Sequence, residues 1–258
     1  MGSHGEEPAV AIPDAVRRLS LELGKRYGRD YNCGRRMFED GQYGGDHFGP
    51  GNAQRWKDSA RGVFDALKEL HRNRHYQPLL DLGCGRGVLT NEIRAFNIKA
   101  FGLDLGQDVE TVGAVGNAIC APFATSTFAV ILALDIIEHL PMDAQPRLWW
   151  EIRRLLRPGG LLLATVPTET PHYARFSSEG VYNHYVSLSP VRWKDEVIQP
   201  GGFSVLAEGG RLALFGPPFN HGPANYPFAL VAAESDESLV RQDPRPAGDS
   251  RRSHPHSR

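Results

Sequence analysis

Apolar positions along the chain follow two rhythms. Trp56, Ala60, Val63, Phe64, Leu67 and Leu70 recur at three- and four-residue intervals, the spacing of one helical face, which predicts an amphipathic helix to about Arg74. From residue 78 onward, short apolar runs bounded by glycine, proline and acids take over. They predict strands near 78–83, 99–104, 112–116, 128–134 and 160–166, with helical stretches between them. The stretch before the last of these carries Leu148, Ile152, Leu155 and Leu156 on one side, and "RPGG" predicts its stop. A run as uniformly apolar as "FAVILAL" fits a strand covered on both faces, so strands alternating with helices predict a parallel sheet between helical layers.

Further along, "SPVRWKDEVIQPGGF" predicts a helix with Ser189 as N-cap, Pro190 as first helical residue and glycines past its end. Two more strands are expected near 203–207 and 226–233, with "RLALF" a candidate third piece. Upstream, "DAVRRLSLELG" predicts a short helix from Asp14 to Gly24. Residues 27–52 show no period; glycines, aromatics and charges alternate, the pattern of an irregular and often functional loop, with a flexible leader as the alternative reading. From about Ser235 the chain is polar and proline-bearing, which predicts a disordered tail.

Composition changes this picture little. With 41% hydrophobic and 23% charged residues the chain has material for a substantial core. Its 29 basic and 30 acidic residues supply no global attraction to nucleic acid or to an anionic membrane. No apolar run approaches the ~20 residues that span a bilayer. The N-terminus lacks the basic and apolar regions of a secretory signal. Three cysteines without a CxxC pair argue against both zinc and a disulfide framework. The expectation is a cytoplasmic protein with no nucleic-acid, membrane or metal partner; composition does not express its oligomeric state.

The chemistry concentrates at "LLDLGCGRGVLT", residues 79–90. Gly83, Gly85 and Gly87 fall where the first strand should turn into its helix, and glycine lets a ligand approach the backbone there. Asp104 follows 21 positions beyond Gly83, where nucleoside-binding sheets place the acid that holds a ribose diol. A dinucleotide fingerprint would need glycine at position 88, which is Val88, and Asp81 ahead of the turn would repel a pyrophosphate. A nicotinamide-dependent oxidoreductase is therefore the weaker reading. An acid at position 81 suits a cationic end such as an amino-acid ammonium.

On these residues "DLGCGRG" resembles the first motif, D/E-x-G-x-G-x-G, of class I S-adenosyl-L-methionine-dependent methyltransferases. Asp104 matches their ribose acid. "GNAICAPFATSTFAVILALDIIEHL" is similar to their next two motifs, and "LLRPGGLLLATVP" to the segment entering their fifth strand. The resemblance runs over about 56–233. It implies an α/β, Rossmann-like three-layer sandwich with a mostly parallel seven-stranded sheet whose last strand is antiparallel. It also implies methyl transfer from S-adenosylmethionine to a small-molecule acceptor, oxygen being favoured and nitrogen or carbon open.

Carried over residue by residue, Asp81, Gly83, Cys84 and Gly85 would line the methionyl end, with Cys84 chiefly packing. Asp104 would hold the ribose, Leu105 would lie beside the adenine, and Asn117 and Ala118 would meet its edge. Asn117 stands where Asp is commoner, but its amide oxygen still accepts a hydrogen bond. Asp135 and Ile136 would flank the sulfonium, and Arg55 would meet the cofactor's carboxylate. His139 and His184 are candidate bases for an acceptor hydroxyl, although His139 also has a structural reading, orienting its loop. Tyr43, His47 and Phe48 would wall the acceptor pocket in a lid-like segment. The organisation implied is an N-terminal helix and lid over 1–55, the cofactor-binding domain over 56–233, and the tail over 234–258. Residues 135–140 read "DIIEHL", without the "NPPY" or Pro-Cys signatures of nucleic-acid enzymes, and no basic, aromatic-rich groove is evident. A non-catalytic protein that binds the cofactor as a scaffold is the alternative.

Overall fold

A computed structural model describes residue 18 and residues 53–70, 76–105, 113–168, 185–209, 212 and 225–232. The expected helix at 14–24 (Arg18 aside), most of the lid-like segment and the tail lie outside the described residues, as do Tyr43, His47, Phe48 and His184.

The helical rhythm of residues 56–70 is α1 (Ala53–Leu70), which buries Ala60, Val63 and Leu67 completely. A strand, β1 (Leu79–Leu82), and a short helix, α2 (Val88–Arg94), follow. Then come β2 (Ala100–Asp104), β3 (Gly113–Val115) and β4 (Phe128–Leu134). A 3₁₀ turn (Ile137–His139) leads to α3 (Gln145–Leu155) and β5 (Leu156–Pro167). The helix α4 runs over Pro190–Arg192 and continues as a π-helical turn over Trp193–Ile198. Finally β6 (Phe203–Glu208) and β7 (Asn225–Ala232) close the sheet.

The seven strands lie in the order β3-β2-β1-β4-β5-β7-β6. The pairs from β3 through β5 are parallel, and β7 runs antiparallel to both β5 and β6. Each face has its own core because side chains alternate along a strand. Leu80 and Leu82 of β1 join Ile131, Leu162, Leu148 and Trp193 on the α3 and α4 side. Leu79 joins Val130, Leu132, Leu163, Val63, Leu67, Leu89 and Ile93 on the α1 and α2 side. Burial on both faces is why these strands read as continuous apolar runs.

Two local features differ from the sequence expectation. Leu156 belongs to β5, not to the helical face of α3, and "RPGG" opens the strand instead of trailing the helix. The register slips there: Phe128 pairs with Leu156, but Val130 already pairs with Leu161. Gly159 takes a left-handed conformation at φ 68°, and a Cβ on Gly160 would approach the Arg157 and Ala129 carbonyl oxygens to 2.9 and 3.1 Å. The glycines thus absorb a bulge between helix and strand. The Ser189 cap is as expected, its hydroxyl accepting from the Arg192 N–H at 3.3 Å. Only Leu212 of the "RLALF" piece is described, and it is buried.

Candidate active site

The strand order reverses between β1 and β4, and ligands of open parallel sheets bind beyond the carboxyl ends of the strands at such a point. The turn after β1 supplies one wall. Gly83, Gly85 and Gly87 have φ of 77°, 55° and 78°, so all three need the left-handed freedom of glycine. Gly83 also leaves no space for a side chain: a Cβ would lie 2.6 Å from Cδ1 of Ile136, the residue two past the end of β4. The loops after β1 and β4 are therefore in van der Waals contact across the switch point.

Asp104, the last residue of β2, ties the site together. Its carboxylate accepts the Gly85 N–H at 2.9 Å, and its main-chain oxygen accepts the Gly116 N–H at 2.8 Å. The Leu103 carbonyl accepts from Gly83 and Cys84. One strand end thus sets the geometry of both the glycine turn and the loop after β3.

Asp81 points to the α1 and α2 face, is 3% exposed, and accepts the Thr90 hydroxyl at 2.6 Å. Burial pushes its pKa up to about 6; the Thr90 bond opposes that rise and neighbouring Asp104 adds to it. A buried carboxylate in such a place gains most from a cation. Cys84 turns its thiol toward Gly102, where a Cβ would come within 2.6 Å of Sγ. Burial, with help from Asp81 and Asp104, pushes the Cys84 thiol far up from its ordinary value. Leu105 packs against the core beside the end of β2.

In the loop after β3, Asn117 and Ala118 are buried. The Asn117 amide oxygen accepts the Ile119 N–H at 3.1 Å, so it shapes its own turn. After β4, Asp135 has φ 53°, a conformation Asp tolerates better than most residues. Its N–H donates to Thr165 Oγ1 at 3.0 Å, and the Thr165 hydroxyl donates back to Asp135 Oδ1 at 2.7 Å. Gln145, which the sequence did not single out, donates to the Ile137 and Leu140 carbonyls at 2.8 and 3.0 Å and accepts from Trp149 Nε1. It braces the turn that carries half-buried His139. Glu138 is fully buried, and burial holds its pKa well above the usual carboxylate range, with Asp135 adding to the rise. The Glu138 carbonyl accepts the Tyr185 N–H at 2.8 Å, which joins the segment after β5 to this turn.

The structure thus brings Asp81, Gly83, Cys84, Gly85, Asp104, Leu105, Asn117, Ala118, Asp135, Ile136 and His139 to the carboxyl ends of β1 to β4. Arg55 lies in the first turn of α1, and its side chain is outside the described residues. Thr90, Thr165 and Gln145 were missed because hydroxyl and amide side chains carry no periodic signal, and the partner of Thr165 lies 30 residues away in the chain.

Comparison with known proteins gives this arrangement its class. The family profile described as a methyltransferase domain matches residues 54–197, more than half of the chain. The protein belongs to the class I S-adenosylmethionine-dependent methyltransferase family. It is 28% identical over 152 residues to a ubiquinone biosynthesis O-methyltransferase from Nitrosococcus oceani, an alignment covering 50% of this chain and 63% of that protein. It is also 28% identical over 176 residues to a sterol 4-C-methyltransferase from Caenorhabditis elegans, covering 58% of this chain and 48% of the other. Among solved structures, the 1,6-didemethyltoxoflavin-N1-methyltransferase of Burkholderia thailandensis, with bound 1,6-didemethyltoxoflavin and S-adenosylhomocysteine, has a similar fold. Its TM-score is 0.56 at 16% identity, over 89% of this chain and 94% of that one. No helix among the described residues is long and apolar enough to cross a membrane.

Proposed function

We propose that the protein transfers a methyl group from S-adenosylmethionine to a small-molecule acceptor, and that the acceptor atom is oxygen. The observation that carries this reading is the pairing of buried Asp81 with a left-handed glycine turn whose middle N–H is held by Asp104. That pairing fits the cofactor: a cationic amino end for Asp81, a diol for Asp104, and close approach along the glycines. Asn117, Ala118 and Leu105 would enclose the adenine, and Arg55 would meet the carboxylate. When bound, the cofactor supplies an electrophilic methyl group on a sulfonium.

The chain's own residues then position and deprotonate. Asp135 and Ile136, fixed by Thr165 and by contact with Gly83, would define the wall beside the reacting centre. Holding the acceptor close and aligned accounts for much of the rate in such a displacement. His139 would take the proton of an acceptor hydroxyl, with His184 as its counterpart from the segment ending at Tyr185. Tyr43, His47 and Phe48 would cover the acceptor and exclude water. The choice of oxygen is supported by the ubiquinone O-methyltransferase relatives; the sterol 4-C-methyltransferase relative supports carbon as the runner-up.

The test joins binding and turnover. Calorimetry with S-adenosylhomocysteine should show one site. Incubation with methyl-labelled cofactor and fractionated cell extract should place the label in a hydroxylated small molecule, recovered as a methyl ether. Absence of binding by well-folded protein would remove the reading. Binding without any labelled product would favour the scaffold alternative.

A further inference from the structure

The loop between β3 and β4 has little of its own to hold it in shape. Residues 116–127 form neither helix nor strand, and their internal bonds are single turns: Ile119 N–H to Asn117 Oδ1, Cys120 N–H to the Asn117 carbonyl, Phe123 N–H to the Ala121 carbonyl, and the Thr127 hydroxyl to the Ala124 carbonyl. Gly116 is held by the main-chain oxygen of Asp104, and the middle of the loop is held by one helix. Glu151 of α3 accepts the Ala121 N–H at 2.8 Å. Arg147 Nε donates to the Ile119 carbonyl at 2.9 Å. Arg154 donates to the Phe123 carbonyl at 2.8 Å and the Ala121 carbonyl at 3.2 Å, while its own carbonyl accepts the Ser126 N–H at 2.7 Å.

The three side chains form a unit. Glu151 is 1% exposed, and a carboxylate so deeply buried is tolerated only with partners. Arg154 meets it through two donors at 2.6 and 3.0 Å, and Arg147 stands 3.7 Å away. Arg147 Nε and the two terminal nitrogens of Arg154 also meet the loop's carbonyls. Residues 147, 151 and 154 share one flank of the helix, beside the apolar stripe of Leu148, Ile152 and Leu155 that enters the core. Charge and apolar stripes together press α3 against the sheet on one side and against the loop on the other.

The near end of this loop is Asn117-Ala118. We propose that Glu151, with Arg147 and Arg154, is a positioning unit for the adenine end of the cofactor: α3 fixes the backbone of 119–123 and thereby the pocket edge at 117–118, without touching the ligand. The inference rests on the cofactor assignment made above. It makes cofactor affinity a property of a helix on the far side of the loop.

The experiment compares wild type with Glu151→Gln, Glu151→Ala and Arg147→Ala. Arg192→Ala, which breaks an exposed pair with Glu196, serves as control. Arg147 is 12% exposed, so its variant is expected to fold even where Glu151→Ala does not. The readouts are calorimetric Kd for S-adenosylhomocysteine and for 5′-methylthioadenosine, which keeps the adenosine and lacks the amino-acid end, with KM and kcat for S-adenosylmethionine. Arg147→Ala and Glu151→Ala should weaken both nucleosides by the same factor, about tenfold or more for Glu151. The ratio of the two affinities should stay, and KM should rise with kcat retained at saturation. Glu151→Gln, which keeps an acceptor for Ala121, should fall between, and Arg192→Ala should match wild type. Folded Arg147→Ala and Glu151→Gln with wild-type Kd and KM would overturn the proposal. So would a fall in kcat at unchanged KM. If wild type binds neither nucleoside, the cofactor assignment itself fails, and the proposal with it.

Discussion

The Asp104 carboxylate accepts the Gly85 N–H at 2.9 Å, so the acid closing one strand holds the middle glycine of the turn closing its neighbour. Replacing Asp104 with Ala removes a charge-assisted bond within the protein and the proposed ribose partner together. A net loss of roughly 1.5–3 kcal/mol is expected from the first alone. Affinity for S-adenosylhomocysteine should fall at least about tenfold. Calorimetry and thermal unfolding of the same variant separate the two losses.

Asp81 makes both stability and binding depend on pH. Its folded pKa, about 6, lies above the ordinary 3.8, so between those values the folded state holds the proton that the unfolded state releases. Stability of the ligand-free protein therefore falls as pH rises through that window, by roughly 2–3 kcal/mol from this group. Cofactor affinity should move the opposite way, rising as Asp81 ionises, with proton release on binding near pH 6. Asp81→Asn should be more stable than wild type at neutral pH yet bind the cofactor poorly. Urea titrations across pH, and calorimetry in buffers of different ionisation heat, read the two effects.

The Thr165 hydroxyl holds Asp135 through two hydrogen bonds, beside a main-chain bond from the Asp135 N–H to the Thr165 carbonyl at 3.3 Å, while Asp135 keeps a left-handed backbone. Thr165→Val conserves volume and removes both bonds. It should cost about 1–3 kcal/mol in chemical denaturation, and kcat should drop more than KM changes, because the wall beside the reacting centre loosens.

Gly102 and Cys84 are a steric pair. A Cβ at 102 would approach the Cys84 sulfur to 2.6 Å. Gly102→Ala should therefore destabilise the protein by about 1–3 kcal/mol. Adding Cys84→Ala should restore much of that loss, a coupling readable in a double-mutant cycle.

His139 separates two roles. As a base it should lose about 100-fold or more in kcat on replacement by Gln, with Kd for S-adenosylhomocysteine unchanged. As a brace for its turn it should lose stability instead. The pH profile of the residual rate distinguishes them.

The strands and the glycine turn were legible in the sequence because both are local. An apolar run bounded by turn residues reports a doubly covered strand, and glycine at alternate positions reports left-handed backbone. Asp104 was legible through spacing. The supports were not. Glu151, Arg147 and Arg154 read as the wet side of an amphipathic helix, yet they face a loop some 30 residues earlier in the chain. One signal was present: opposite charges at helical spacing directly beside the apolar stripe. "RPGG" was misplaced for a related reason. Proline and glycine mark a break in regular backbone, but only the sheet decides whether that break trails a helix or bulges a strand.

The placement of Cys84 carries a last consequence. A protein that keeps an alkylating agent against its own backbone must keep its nearby sulfur from reacting with it. Burial, with the two carboxylates proposed to bind that agent adding to it, suppresses ionisation of the neighbouring thiol, and the missing side chain of Gly102 gives the sulfur its recess. Protection from self-modification would thus follow from burial first, with the charges proposed to bind the donor reinforcing it.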